Sequence, residues 1–238
     1  AMMEARAASV EEAHQAIGAA MRGLGAGGGG LPIERSVRAI VRHFMKGVAG
    51  EATLPSWIVD APRLERSEGP VHDRSIDPLD LGAAYETLLG MTGGGIDGVV
   101  EVKPVKGHAR KRRGAYYTPR WLVDLVLDLA LEPLIGRAGE EELLRLRVLD
   151  PACGSGAFLV AAVERIGRRL AMVRTQREKP DDAATRRAMR DVGRKCVFGV
   201  DSDGVAVDLC RAAMWGRCGG AEGLERNIVR GDGLLDDA

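Results

Sequence analysis

The chain reads as an α/β protein, a parallel sheet wound with helices and preceded by an N-terminal helical region. Three observations predict this. From residue 119 onward, short apolar runs alternate with stretches of helical periodicity. Each of three such runs ends in a carboxylate, at Asp150, Asp201 and Asp232. Before residue 119 the pattern is helical or irregular.

Composition is compatible with that class. The 238 residues suffice for one domain with a core plus a helical appendage. Aromatics are only 4%, so the core is expected to rest on Leu, Val, Ile and Ala. Lys+Arg and Asp+Glu both number 34, which excludes a globally basic nucleic-acid module; any contact with DNA must come from a local patch. Cys153, Cys196, Cys210 and Cys218 form no C-x-x-C pair and no His cluster accompanies them, so no metal site is expected and reduced thiols of a cytoplasmic protein are the better reading. No secretory signal or membrane-spanning apolar run is seen, so no membrane association is expected. The opening Ala1-Met2-Met3 reads as one residue left ahead of a native Met.

Taken in order, residues 4–22 have the stripe Val10, Ala13, Ile17 and Met21 of an amphipathic helix. Gly23 to Gly30 holds six glycines in eight residues, a flexible break; with no Gly-Lys-Ser/Thr after it, a phosphate-cradling loop is disfavoured. These first 30 residues form one segment and 31–113 a second, helical one with a basic connector. Residues 33–47 carry Ile33, Val37, Ile40, Val41 and Phe44 at helical spacing. Residues 50–77, with Pro55, Pro62 and Pro70, read as an irregular connection. A helix is expected at 79–90, ended by Thr92-Gly93-Gly94-Gly95, then a short strand among Val99, Val100, Val102 and Val105.

The third segment is 114–238. A helix is expected over 119–135, with Pro119 in its first turn. Leu146 to Leu149 is a strand, followed by a Gly-rich turn and a helix over 156–173. Residues 176–187 read as a charged loop with a helix start. Strands at 196–200 and 227–230 flank a helix at 203–215.

The chemistry concentrates in Asp150-Pro151-Ala152-Cys153-Gly154-Ser155-Gly156-Ala157-Phe158-Leu159. Asp150 closes the first strand at its carboxyl edge, where open α/β sheets bind ligands. Gly154 and Gly156 remove side chains that would keep a ligand from the backbone, and the following helix offers its N-terminus to an anion. The third glycine of a diphosphate loop is replaced by Leu159, so the loop suits a smaller anion such as a carboxylate. Asp150 can pair with an amine. An amino acid carries both groups, as does the methionine end of S-adenosylmethionine. A lone Gly-x-Gly is more often only a tight turn. Here Val197-Phe198-Gly199-Val200-Asp201 adds a second strand ending in an acid able to accept both ribose hydroxyls. Ile228-Val229-Arg230-Gly231-Asp232 adds a third, placed to take an adenine amino group. Gly114-Ala115-Tyr116-Tyr117-Thr118-Pro119 precedes the first helix and brings a hydroxyl that could bind the methionine carboxylate.

These residues resemble motif X (GAYYTP), motif I (DPACGSGAFL), motif II (FGVDSD) and motif III (GDGLL) of the adenine-N6 DNA methyltransferases, in the gamma order in which the cofactor half precedes catalysis. Leu81 to Leu89 also resembles a segment upstream of motif X in restriction-modification and phage-defence methylases, so the resemblance spans about 79–235. It implies a partial Rossmann-like methyltransferase fold with S-adenosylmethionine as cofactor. Thr118, Asp150 and the Gly154 and Gly156 backbone would hold the methionine moiety, Asp201 the ribose and Asp232 the cofactor adenine, with Tyr117, Ala152 and Ser202 also cofactor-binding. Ser202 stands where the family usually has a large apolar residue, so adenine stacking must come from elsewhere or is weaker. Tyr116 and Tyr117 either pack in the core or line the cleft.

The family's Asn/Asp-Pro-Pro-aromatic tetrapeptide, which holds and stacks a flipped adenine, is absent, and no catalytic residue is assigned. The expectation is a cofactor-binding fragment, inactive alone, of a DNA adenine methyltransferase. Two other readings stay open: a methyltransferase of RNA or protein glutamine, and a non-catalytic remnant that binds cofactor or a partner. Lys106, Arg110, Lys111, Arg112 and Arg113 form either a solvated loop or a contact to DNA phosphates beside the site. The sheet is expected to leave strand 146–149 with an unpaired edge, open to self-association or to cover by the N-terminal helices.

Overall fold

A computed structural model of the chain describes residues 33–49, 58, 78–89, 91–94, 101–104, 118–220 and 223–235. The helix expected at 4–22, the glycine run 23–30, the connection 50–77 apart from Ile58, and the basic stretch with Tyr116 and Tyr117 lie outside the described residues. The chain divides into two units, Ala1–Tyr117 and Thr118–Ala238.

In the first unit, α1 (Ile33–Ala49) buries Val37, Ile40, Val41 and Met45, a stripe at three- and four-residue spacing. It packs on α2 (Pro78–Leu89), which opens on a proline and buries Leu79, Leu81, Ala84 and Tyr85. The residues expected to terminate α2 do something else. Thr92 to Gly94 belong to β1 (Met91–Gly94), antiparallel to β2 (Glu101–Pro104) with Met91 opposite Pro104 and Gly94 opposite Glu101. Pairing along the hairpin outweighs the weak strand preference of glycine.

In the second unit, α3 (Arg120–Ala130) starts with Pro119 as its N-cap, the Pro119 carbonyl accepting from Leu122 and Val123. The helix expected to run to 135 breaks at Leu131 and resumes as α4 (Glu132–Ile135). Pro133 explains the break, since it has no N–H to donate back to the preceding turn. The unanticipated α5 (Glu140–Arg145) is started by Glu142, whose carboxylate accepts from the Gly139 N–H at 2.8 Å.

β3 (Val148–Asp150), β4 (Val197–Asp201) and β5 (Ile228–Arg230) form a parallel sheet in that order, with Leu149 opposite Phe198 and Val200 opposite Val229. α6 (Ala157–Thr175) joins the first two strands and α8 (Gly204–Cys218) the last two. These two helices pack on each other and cover one face, where Val197, Gly199 and Ile228 are buried. The opposite face stays open: Leu149 is 62% and Val229 40% exposed. β3 is an edge strand among the described residues, as expected.

The segment expected to be a charged loop with a helix start, 176–187, holds the start of α7 (Asp182–Lys195). The Asp181 carboxylate caps it, accepting from the Ala184 N–H at 2.7 Å. Ala184, Ala188, Met189 and Val192 bury one side against α6, and a charged opposite side hides that stripe in the sequence. Glu164 of α6 then ties the helices together, pairing with Arg120 at 3.5 Å and Arg217 at 3.2 Å.

Candidate cofactor-binding site

Parallel pairing sends the carboxyl ends of β3, β4 and β5 to one edge of the sheet, which places Asp150, Asp201 and Asp232 there. The loops that follow these strands are joined to one another. The Cys153 N–H donates to the Val200 carbonyl at 2.9 Å, carrying the first loop onto β4. The Gly154 N–H donates to Asp201 Oδ2 at 2.8 Å. Asp201 Oδ1 accepts from the Asp203 N–H at 2.9 Å, and the Asp201 carbonyl from the Gly231 N–H at 3.0 Å. Gly233 closes the circuit, because a Cβ there would run into the Pro151 carbonyl oxygen. Asp201 is therefore the junction of all three loops.

The glycines divide the work differently from the expectation of ligand approach alone. Gly154 and Gly156 have φ of 53° and 94°, the left-handed region that favours glycine. At Gly156 a Cβ would lie 2.6 Å from the Cys210 thiol, so this residue is small in order to seat the loop on α8. The Gly156 N–H donates to the Cys153 carbonyl at 2.9 Å. Both glycine N–H groups thus have internal acceptors, and their contribution to a ligand is shape.

Burial pushes the Asp150 carboxyl above its ordinary range; the Ala152 N–H, donating at 3.2 Å, opposes this, and the negative charge of Asp201 adds to it. A cation beside Asp150 would relieve both of the raising effects. Beneath the loop the Cys210 thiol, hydrogen-bonded with Cys153, buried, and facing the charges of Asp150 and Asp201, is pushed up and stays neutral. It is a packing group, not a nucleophile.

Ser202 is exposed, and its carbonyl accepts from Arg230 Nε at 3.1 Å. Arg230 is a site neighbour that sequence reasoning missed, since an arginine at a strand end carries no signal beyond solvation. Asp232 is exposed, with Oδ1 accepting from the Leu234 N–H at 3.0 Å. Ala152 is exposed beside Asp150. Thr118 is half-buried just before α3. Tyr117, Lys106, Arg110, Lys111, Arg112 and Arg113 fall outside the described residues.

The profile of the family described as N-6 DNA Methylase matches residues 101–238, more than half of the chain. The chain belongs to the N-6 DNA methylase family. Curated relatives agree. Over 62 residues the chain is 40% identical to "Type II methyltransferase M.BstVI" of Geobacillus stearothermophilus, covering 26% of this chain and 10% of that protein. Over 60 residues it is 37% identical to "Adenine-specific methyltransferase PglX" of Streptomyces coelicolor, covering 25% and 5%. Over 192 residues it is 25% identical to "Putative type II restriction enzyme and methyltransferase RM.MjaORFECS2P" of Methanocaldococcus jannaschii, covering 64% and 15%. The matches to this N-6 DNA methylase chain thus span 5% to 15% of the length of these relatives. No solved structure matches.

Proposed function

We propose that the three joined loops bind S-adenosylmethionine, and that the chain is the cofactor-binding part of an adenine-N6 DNA methyltransferase of a restriction-modification or phage-defence system. One observation carries this reading: three strand-end carboxylates held in one loop system, with Asp201 hydrogen-bonded into the Gly154 turn. The donor set fits the cofactor. Asp150, raised by burial and by Asp201, suits an ammonium group. Asp201 uses one N–H on each oxygen, which leaves lone pairs for two ribose hydroxyls. Asp232 is exposed just beyond β5, where a carboxylate can take an adenine amino group, and the Arg230 guanidinium at the Ser202 carbonyl supplies a planar group near the position that lacks an apolar side chain. Thr118 completes the methionine end in this reading, and Tyr117 is assigned to the cofactor site. When bound, the cofactor supplies a methyl group on a sulfonium centre.

Lys106, Arg110, Lys111, Arg112 and Arg113 are assigned to DNA phosphates beside the site. The 238 residues contain no Asn-Pro-Pro-aromatic, so nothing in them is assigned to hold the target amino group, and the isolated chain is expected to bind cofactor without methylating DNA. Buried, unpaired thiols suit a reducing cytoplasm.

Displacement of radiolabelled S-adenosylmethionine tests the ligand class. S-adenosylhomocysteine should displace the label, and NAD and ATP should not. Displacement by the dinucleotide, or no retained label, contradicts the assignment. Incubation with duplex DNA, RNA and protein acceptors tests the rest: label entering RNA or protein would favour another substrate.

A further inference from the structure

At the carboxyl edge of the sheet a cation stands among the strand-end carboxylates. Arg230 ends β5 and is the register partner of Asp201 on β4. It precedes Asp232 by two positions. The residue is exposed yet held, its Nε donating to the Ser202 carbonyl at 3.1 Å. The guanidinium crosses Gly204, where a Cβ would meet Arg230 Cδ, Nη1 and Nε at 3.6, 3.7 and 3.8 Å. The arginine therefore rests on the first residue of α8. Among the described residues Arg230 forms no ion pair.

Local stability does not explain a cation here. Gly204 opens α8, so the guanidinium lies at the positive end of the helix dipole, where a cation is unfavourable. That end is already capped by Asp203, whose carboxylate accepts from the Val205 N–H at 2.8 Å. The cofactor reading supplies a reason. With Asp201 on the ribose and Asp232 on the adenine amino group, the purine spans the gap between these two carboxylates. Arg230 lies on that span, opposite the first and just ahead of the second. The position after Asp201, from which an apolar side chain would pack on the base, is the exposed Ser202. The Ser202 carbonyl instead orients the arginine. A guanidinium is flat, weakly hydrated and stacks on aromatic faces.

We infer that Arg230 lies against the face of the cofactor's adenine and is a specificity-determining residue for that base, taking the part of an apolar side chain at position 202. The inference rests on the cofactor reading of the three loops. Its test compares S-adenosylhomocysteine with S-ribosylhomocysteine, which keeps the ribose and the amino-acid end and lacks the base. Both are titrated into the unaltered chain, R230A and R230M, and thermal unfolding confirms that the variants are folded. Affinity for S-adenosylhomocysteine should fall about fivefold or more in R230A. It should fall less in R230M, whose side chain keeps a polarizable packing surface without charge or donors. S-ribosylhomocysteine should bind all three proteins alike, because it has no base for residue 230 to touch. A loss shared by both ligands would mark a structural role and overturn the inference, as would equal affinity for S-adenosylhomocysteine in all three proteins. R230M as weak as R230A would also overturn it, by pointing to donation at the edge of the base in place of a stack. Each of these results leaves the cofactor reading standing. Absence of S-adenosylhomocysteine binding to the unaltered chain overturns that reading and this inference together.

Discussion

At the scale of single residues, the three carboxylates were legible because each follows an apolar run that can only be a short strand, and strand ends are where open sheets place ligands. What the sequence could not show is that Asp201 also serves as the mechanical junction, since its partner Gly154 is 47 positions away. Gly156 was legible as a special position but for an incomplete reason: its neighbour Cys210 lies on another helix. Gly156→Ala should therefore destabilise the fold, by about 1–3 kcal/mol from the left-handed backbone alone, and thermal unfolding would show the drop. Unchanged stability would contradict the seating of the loop on α8.

Asp150 predicts a pH dependence of opposite sense to that of a salt-bridged acid. Its folded carboxyl lies above the ordinary value of 3.8, chiefly through burial. Below the unfolded value the group is protonated in both states and costs nothing. As pH rises through the folded value, the native state must bear a buried charge, so stability falls across that window and then levels. Asp150→Asn keeps an acceptor for the Ala152 N–H and removes the charge. It should match the unaltered chain in stability at low pH, exceed it at neutral pH, and lose cofactor affinity. Melting curves across the acid range check the first two outcomes; a gap that does not widen with pH would refute the assignment.

At the scale of elements, the alternation of β3, α6, β4, α8 and β5 was legible because burial on one side imposes clear periodicity. α7 was obscured by charge: its buried side is mostly alanine, a weak apolar signal between arginines. α5 is too short to have a period, and the β1–β2 hairpin runs against glycine's preference. The interlock of α3, α6 and α8 through Glu164 was also invisible, because its partners Arg120 and Arg217 are remote in sequence. Glu164→Ala leaves two arginines that are each about 40% exposed and can hydrate, so the loss should be about 1 kcal/mol, less than for a fully buried pair. Chemical denaturation would measure it, and Glu164→Gln should recover part of the loss.

At the scale of the whole molecule, the second unit has one covered and one open sheet face. Among the described residues, Leu149 and Val229 lie on the open side and β3 is an edge strand. Such a surface invites another chain. The mass measured by light scattering should rise with protein concentration, and Leu149→Lys should lower that tendency. A monomer at every concentration would contradict self-association through this face.

The central claim is that strand-end loops joined by Asp201 hold S-adenosylmethionine. Calorimetric titration of the cofactor into the chain and into Asp201→Ala tests it most directly. The account predicts measurable binding that the substitution weakens by on the order of 1.5–3 kcal/mol, the loss of charge-assisted hydrogen bonds. Equal affinity in the two proteins, or no binding to the unaltered chain, would contradict it.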